Sequence, residues 1–274
     1  MTFIAAVVQD SPVVFNLDKT IEKVEDLTKK AANKNAELVV FPEAFISAYP
    51  KGIDFGARVG SRSDQGRDMF YDYYNSSLGL HSKQFEKLCL IAKQNKIFMS
   101  IGVIEKDNGT LYCTVLFISK KGELLGKHRK VMPTAMERIV WGYGDGSTLP
   151  VIDSNLGKIG SVICWENYMP LMRMAMYSKG IQLYCAPTAD DRDTWISSMI
   201  HIALEGRCFV FSSCQYLLRK DCPENYNPIQ GNAENTILMN GGSCIISPLG
   251  KVLAGPYRDG PTILTTEIDL KEII

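Results

Sequence analysis

The chain has 274 residues, of which 46% are hydrophobic and 22% charged. That is ordinary soluble usage, with enough apolar mass for a large core and too much for intrinsic disorder. Its 30 Lys and Arg balance 30 Asp and Glu, so net charge gives no reason to collect phosphate backbone or anionic lipid, and nucleic-acid and membrane-surface roles are disfavoured. The longest apolar runs, Leu38 to Phe41 and Ile159 to Cys164, fall far below the roughly 20 residues that span a bilayer. At this length we expect one large domain over 1–274.

Ile4 to Val8 reads as a buried strand, and the N-terminus shows no basic leader, so the expected location is the cytoplasm. Leu17, Ile21, Val24, Leu27 and Ala31 recur at helical spacing. Leu38 to Phe41 is a second buried strand, stopped by Pro42 and followed at once by Glu43. From Tyr49 to Leu80 no period is sustained, and the segment reads as a long surface connection. A helix around Phe85, Leu88 and Ile91, a strand at Ile97–Val103, and a hairpin of Thr114–Ser119 with Leu124–His128 complete the first half.

The second half repeats that order. Strand Ile159–Cys164, helix Met169–Ser178, strand Ile181–Cys185, helix Trp195–Glu205 and strand Phe209–Ser213 lead to a hairpin, Ser243–Ser247 with Lys251–Ala254, and a last strand, Thr262–Ile268. Strands that alternate with helices and then give way to hairpins predict mixed sheets with helices outside. Several strands are apolar along their whole length, so both of their faces should be covered, and two such halves could stack sheet on sheet.

The eight cysteines contain no C-x-x-C pair and no regular spacing, so neither a disulfide framework nor a zinc site is expected. Buried free thiols in a reducing compartment account for about seven of them. The exception to weigh is Cys164, which ends an apolar strand where a polar, helix-opening segment begins; a thiol there is either one more buried small hydrophobe or a reactive group. Glu43 at a strand end is either a capping or solvated acid or a functional carboxylate, because sites in open α/β sheets collect at that edge. Lys127-His128-Arg129-Lys130, taken alone, reads as a solvated face. Gly142 to Ser147 follows no clear strand and opens no helix, which excludes dinucleotide binding. The three histidines are too scattered to suggest a metal site.

Together, Phe41-Pro42-Glu43-Ala44-Phe45, His128 to Thr134 and Cys164-Trp165-Glu166-Asn167 resemble the three signature segments of the nitrilase branch of the carbon–nitrogen hydrolase family. The likeness continues through Glu137 to Gly142, Gly144 to Thr148, Tyr184 to Asp190 and Gly241 to Gly250, and so covers nearly the whole chain. It implies an α/β fold, an α-β-β-α four-layer sandwich. By position, Glu43, Lys130 and Cys164 match the family's catalytic Glu, Lys and Cys, and Glu137 its supporting glutamate. The resemblance further implies a small-molecule nitrile as substrate, no cofactor, no metal and a homo-oligomer. Nitrilases usually continue past the position of Ile274, so the expected tail is short for the family.

Tyr49, Trp141, Trp165, Met169 and the loop Ala189-Asp190-Asp191-Arg192 are the expected neighbours of the substrate. The expected activity is hydrolysis of a nitrile to the acid and ammonia through a covalent intermediate on Cys164. Two alternatives stand beside it: an amidase or carbamoylase using the same three residues, and a non-catalytic homologue.

Overall fold

In a computed structural model, residues 2–273 are described. The first half runs β1 (Thr2–Gln9), α1 (Leu17–Ala32), β2 (Ala36–Val40), α2 (Asp64–Asn75), α3 (Lys83–Asn95), β3 (Phe98–Asp107), β4 (Thr110–Ile118) and β5 (Leu124–Arg129). A single helical turn, α4 (Glu137–Val140), precedes the second half. That half comprises β6 (Val151–Ser154), β7 (Gly157–Ser161), α5 (Pro170–Ser178), β8 (Leu183–Thr188), α6 (Trp195–Gly206) and β9 (Phe209–Cys214). It ends with β10 (Tyr216–Leu218), β11 (Ile237–Asn240), β12 (Ser243–Ile246), β13 (Val252–Tyr257) and β14 (Thr262–Asp269).

Two six-stranded mixed sheets result, ordered β14-β1-β2-β3-β4-β5 and β13-β12-β9-β8-β7-β6. In each, three parallel strands form the centre (β1, β2, β3 and β7, β8, β9) and antiparallel strands flank them. The last strand, β14, pairs with β1 in the first sheet, with Thr2 opposite Asp269 and Gln9 opposite Thr262. The chain ends are thereby tied together.

Successive strand residues face opposite sides of a sheet, and this alternation builds the layers. Ala5, Val7, Leu38 and Val40 of the first sheet meet Ile159, Leu183, Cys185, Phe209 and Phe211 of the second in one core between the sheets. The intervening Ala6, Val8 and Val39 face outward onto Ile21, Val24 and Leu27 of α1 and Leu88 and Ile91 of α3. On the other side, Tyr184, Ala186 and Val210 pack on Met172 and Met176 of α5 and Met199 and Ile202 of α6. This is the α-β-β-α sandwich expected.

Three expectations are corrected. The segment after Tyr49 is not all surface loop: Ser63 caps α2 by accepting the Gly66 N–H at 3.1 Å, and Phe55, Tyr73 and Leu78 are buried. α2 buries only Gly66 and Tyr73, which is too little to leave a 3.6-residue apolar period. The strand expected to run to Cys164 stops at Ser161, and Cys164–Tyr168 is a turn of 3₁₀ helix. The basic run is not one solvated face. Lys127 and Arg129 turn to one side, onto Glu105 at 2.9 Å from Arg129 Nε, whereas His128 and Lys130 turn inward and are buried, as strand alternation requires. Among the described residues no helix is long and apolar enough to cross a membrane.

Candidate active site

Glu43, Lys130 and Cys164 come from three strand ends and meet in the seam between the sheets. Glu43 follows β2, Lys130 follows β5, and Cys164 lies just beyond β7. The two sheets bury all three side chains: Glu43 is 0%, Lys130 1% and Cys164 4% exposed. Lys130 Nζ donates to Glu43 Oε1 at 2.7 Å and to Glu137 Oε2 at 2.8 Å. Glu137 also accepts the Tyr49 hydroxyl at 2.7 Å and the Thr134 N–H at 2.7 Å. Glu43 Oε2 is buried without a hydrogen-bond partner among the described residues.

The electrostatics follow from burial and from the packing of three charges together. Burial alone would lower the Lys130 pKa, but Glu43, Cys164 and Glu137 outweigh it and hold the ammonium well above its ordinary value. Burial pushes Glu43 above the ordinary carboxylate value; the Lys130 charge pulls against that and the Glu137 charge adds to it. The Cys164 thiol is pushed up to about 12, by burial first and the Glu43 charge next. At neutral pH the sulfur is therefore a thiol that must lose its proton to react. Burial, with the neighbouring carboxylates, also keeps the Tyr49 phenol protonated.

Each of these three side chains is held by backbone that the sequence alone did not reveal. A Cβ on Gly102 of β3 would lie 2.2 Å from the Pro42 carbonyl oxygen and 2.8 Å from Glu43 Cα, so only glycine lets β3 approach the Glu43 loop. Gln215 Nε2 donates to the Glu43 carbonyl at 2.8 Å. Gly144 plays the matching part for Lys130: its N–H donates to the Lys130 carbonyl at 2.8 Å, and a Cβ there would meet the Arg129 carbonyl at 2.3 Å. This is the use of the Gly-rich segment that did not fit a nucleotide loop. Cys164 sits at φ 50°, a left-handed conformation costly for a side chain other than glycine. Asn167 secures it, its amide donating to the carbonyls of Val162 at 3.0 Å and Cys164 at 2.8 Å, while the Tyr184 hydroxyl donates to its Oδ1 at 2.9 Å.

A cavity of about 230 Å³ opens over Cys164, walled by Tyr49, Lys51, Thr134, Glu137, Trp165 and the loop 189–192. A second cavity of about 380 Å³ shares Tyr49, Lys51, Thr134 and Glu137 and continues along Ile53, Phe55, Ile139 and Val140. Of the expected substrate neighbours, Tyr49 and Trp165 thus line the cavity. Two others do not. Trp141 is 2% exposed and lies behind Lys130, its ring 5.6 Å from Nζ and its Nε1 donating to the Tyr73 hydroxyl at 3.0 Å. Met169, partly buried, packs against the core under the outer helices.

The family model described as carbon-nitrogen hydrolase matches residues 4–274. The chain belongs to the carbon–nitrogen hydrolase family, on its nitrilase branch. It is 53% identical over 271 residues to an aliphatic nitrilase of Sinorhizobium fredii, covering 99% of this chain and 88% of the relative. It is 50% identical over 274 residues to nitrilase 2 of Arabidopsis thaliana, covering 98% of this chain and 81% of the relative. Among solved structures, a carbon–nitrogen hydrolase from Helicobacter pylori G27 superposes with a TM-score of 0.78 at 20% identity, over 100% of this chain and 91% of that one. An amidase from Nesterenkonia sp. superposes at 0.73 with 19% identity, over 99% and 92%. Both structural likenesses show the family fold.

Gly102→Ala should force the Glu43 loop away from β3. Overpacking of this kind costs about 1–3 kcal/mol, to be read as a lowered urea midpoint with unchanged slope; an unchanged midpoint would contradict the close approach.

Proposed function

We propose that this chain is a nitrilase, a single hydrolase domain over 1–274 that converts a small nitrile to its carboxylic acid and ammonia. The observation that carries this is the buried meeting of a thiol, a carboxylate with an unpartnered oxygen, and an ammonium held by two carboxylates. Relatives at about half identity carrying the name nitrilase support it.

A nitrile carbon is a poor electrophile toward water, so a soft thiolate and covalent catalysis in stages suit the reaction. Glu43 takes the Cys164 proton as sulfur attacks the nitrile carbon, and returns it to the nitrogen to give a thioimidate. Water, deprotonated by the same carboxylate, adds to that carbon; ammonia leaves with the proton and a thioester remains. A second water releases the acid and restores the thiol. Charge develops on nitrogen and then on oxygen, where Lys130 stabilises it, together with the Trp165 backbone N–H. Glu137 keeps Lys130 charged and in place. The scheme calls for no metal or organic cofactor.

The tetrahedral intermediate can instead expel the thiolate and release an amide. A bifunctional nitrilase/nitrile hydratase of Nicotiana tabacum, 51% identical over 273 residues, gives that second product a precedent by name. Tyr49, Trp165 and the loop 189–192 are the proposed substrate wall. The cytoplasm is the proposed location, in keeping with eight free cysteines.

The deciding experiment measures ammonia, acid and amide from aliphatic, aryl and arylacetonitriles and their matching amides, with Cys164→Ala as blank. Ammonia and acid from nitriles, absent in the variant, are expected; turnover of amides alone would move the chain to the amidase reading. Glu43→Gln should lower kcat by about 10²- to 10⁴-fold.

The pH dependence has a definite sign. Glu43 must be ionised to act as base and its pKa is raised, so kcat/KM should fall on the acid side through a pKa above 4.5. An acid limb at or below that value would exclude Glu43 as the base.

Leu171 and Met174 on α5 are 86% and 60% exposed, an apolar outer face that supports the proposed homo-oligomer. Light scattering should give a mass above that of one chain, reduced by Leu171→Glu.

A further inference from the structure

His128 and Glu166 form a second buried ion pair that the reaction scheme leaves unused. Both are 0% exposed. His128 Nδ1 lies 2.7 Å from the Thr148 carbonyl oxygen, and Nε2 lies 2.9 Å from Glu166 Oε2. A carbonyl oxygen only accepts, so Nδ1 carries a hydrogen. Glu166 meanwhile accepts the Val131 N–H at Oε1, 2.6 Å, and the Ile163 N–H at Oε2, 2.8 Å. Both of its oxygens thereby serve as acceptors. A carboxylate also only accepts, so Nε2 carries a hydrogen too. With both ring nitrogens donating, the ring is an imidazolium.

The two backbone donors give this pair its reach. Val131 follows Lys130, and Ile163 precedes Cys164. One carboxylate therefore holds the peptide that joins Lys130 to Val131 and the peptide that ends at Ile163, the residue before Cys164, one from each half of the molecule. We propose that Glu166, paired with His128, is a positioning residue that fixes Lys130 and Cys164 relative to each other across the two sheets. The inference rests on the reading of Lys130 and Cys164 as the reacting pair.

The charges around the ring agree in sign. Burial opposes the imidazolium, and so does the Lys179 ammonium at the end of α5, but Glu166 outweighs both and raises the pKa above 6.5. On β5 itself Lys127 and Arg129 turn to the opposite face, onto Glu105. A raised folded-state pKa means that the pair's contribution is fully present below the unfolded value and is lost as pH rises through the folded one. The clamp should therefore open on the alkaline side.

The test begins with the wild-type chain labelled with ¹⁵N-histidine, whose three imidazoles are titrated by NMR upward through the ordinary histidine pKa of about 6.5. One ring that keeps both nitrogens protonated to higher pH than the other two, absent in His128→Gln, is expected; three rings that lose the proton together would overturn the proposal. This measurement needs no variant to fold in order to refute the idea, and no nitrile turnover. In Glu166→Gln, kcat should fall about 10²-fold, as for a small misplacement of reacting groups, with KM nearly unchanged. Alkylation of Cys164 by iodoacetamide, followed by mass spectrometry, should slow in parallel. Wild-type kcat and alkylation rate in a folded Glu166→Gln would refute the positioning role. Absence of nitrile turnover in the wild type, with the doubly protonated ring present, would sink the nitrilase reading and leave the clamp standing.

Discussion

The buried Lys130 ammonium between Glu43 and Glu137 is the constraint around which the molecule is arranged. Taking such charges out of water costs several kcal/mol per ion, and the attraction between them offsets this only when the geometry is good. Here Lys130 donates at 2.7 and 2.8 Å to two carboxylates, and the second is held in turn by Tyr49 and the Thr134 N–H. One cation against two anions leaves an excess negative charge in a low-dielectric seam. The carboxylates keep Lys130 protonated against its burial. Burial first, with the Glu137 charge added at Glu43 and the Glu43 charge added at Cys164, raises both the Glu43 carboxyl and the Cys164 thiol. A more basic carboxylate thus stands beside a protonated thiol.

Placing these charges demands two sheets and not one. Glu43 and Lys130 belong to the first sheet and Cys164 to the second, so no single sheet contains the chemistry, and the site exists only where the inner faces close on each other. The last strand reinforces this closure, because β14 leaves the second half to pair along all of β1. The core between the sheets then shields the site, and the cavity lined by Trp165 and Tyr49 opens onto Cys164.

Much of this was legible in the sequence. The repeated strand–helix order survives as the two halves of the sandwich, and the three signature segments supply the side chains that meet. What stayed hidden has physical reasons. α2 buries too few side chains to leave a period, and β10 and β11 are strands of three and four residues joined by a long excursion. Trp141 next to the Glu137 turn suggested a pocket wall, yet its size is used to fill the space behind Lys130. Gly102 and Gln215 could not be read at all, since their roles are contacts with the Glu43 loop made across 172 residues in the case of Gln215. A glycine required by a neighbour's carbonyl looks, in one sequence, like any other glycine.

The basic run carries the same lesson further. As a string, Lys127-His128-Arg129-Lys130 has one charge character, but a strand divides it into two faces with opposite fates. The outward pair binds Glu105 at the sheet edge, and the inward pair supplies a cation to each of two buried carboxylate groups. Those inward side chains are two residues apart at the end of β5, and their acceptors belong to different halves: Glu43 follows β2 of the first sheet, and Glu166 lies in the 3₁₀ turn after β7 of the second. A single strand end therefore links the Glu43 loop to the turn that carries Cys164. The distance between sheets is set by charged, directional bonds as well as by apolar packing, which tolerates sliding far more readily. In the proposed reaction, where Glu43 must reach sulfur, nitrogen and water in turn, that fixed spacing is what lets a single glutamate serve every step.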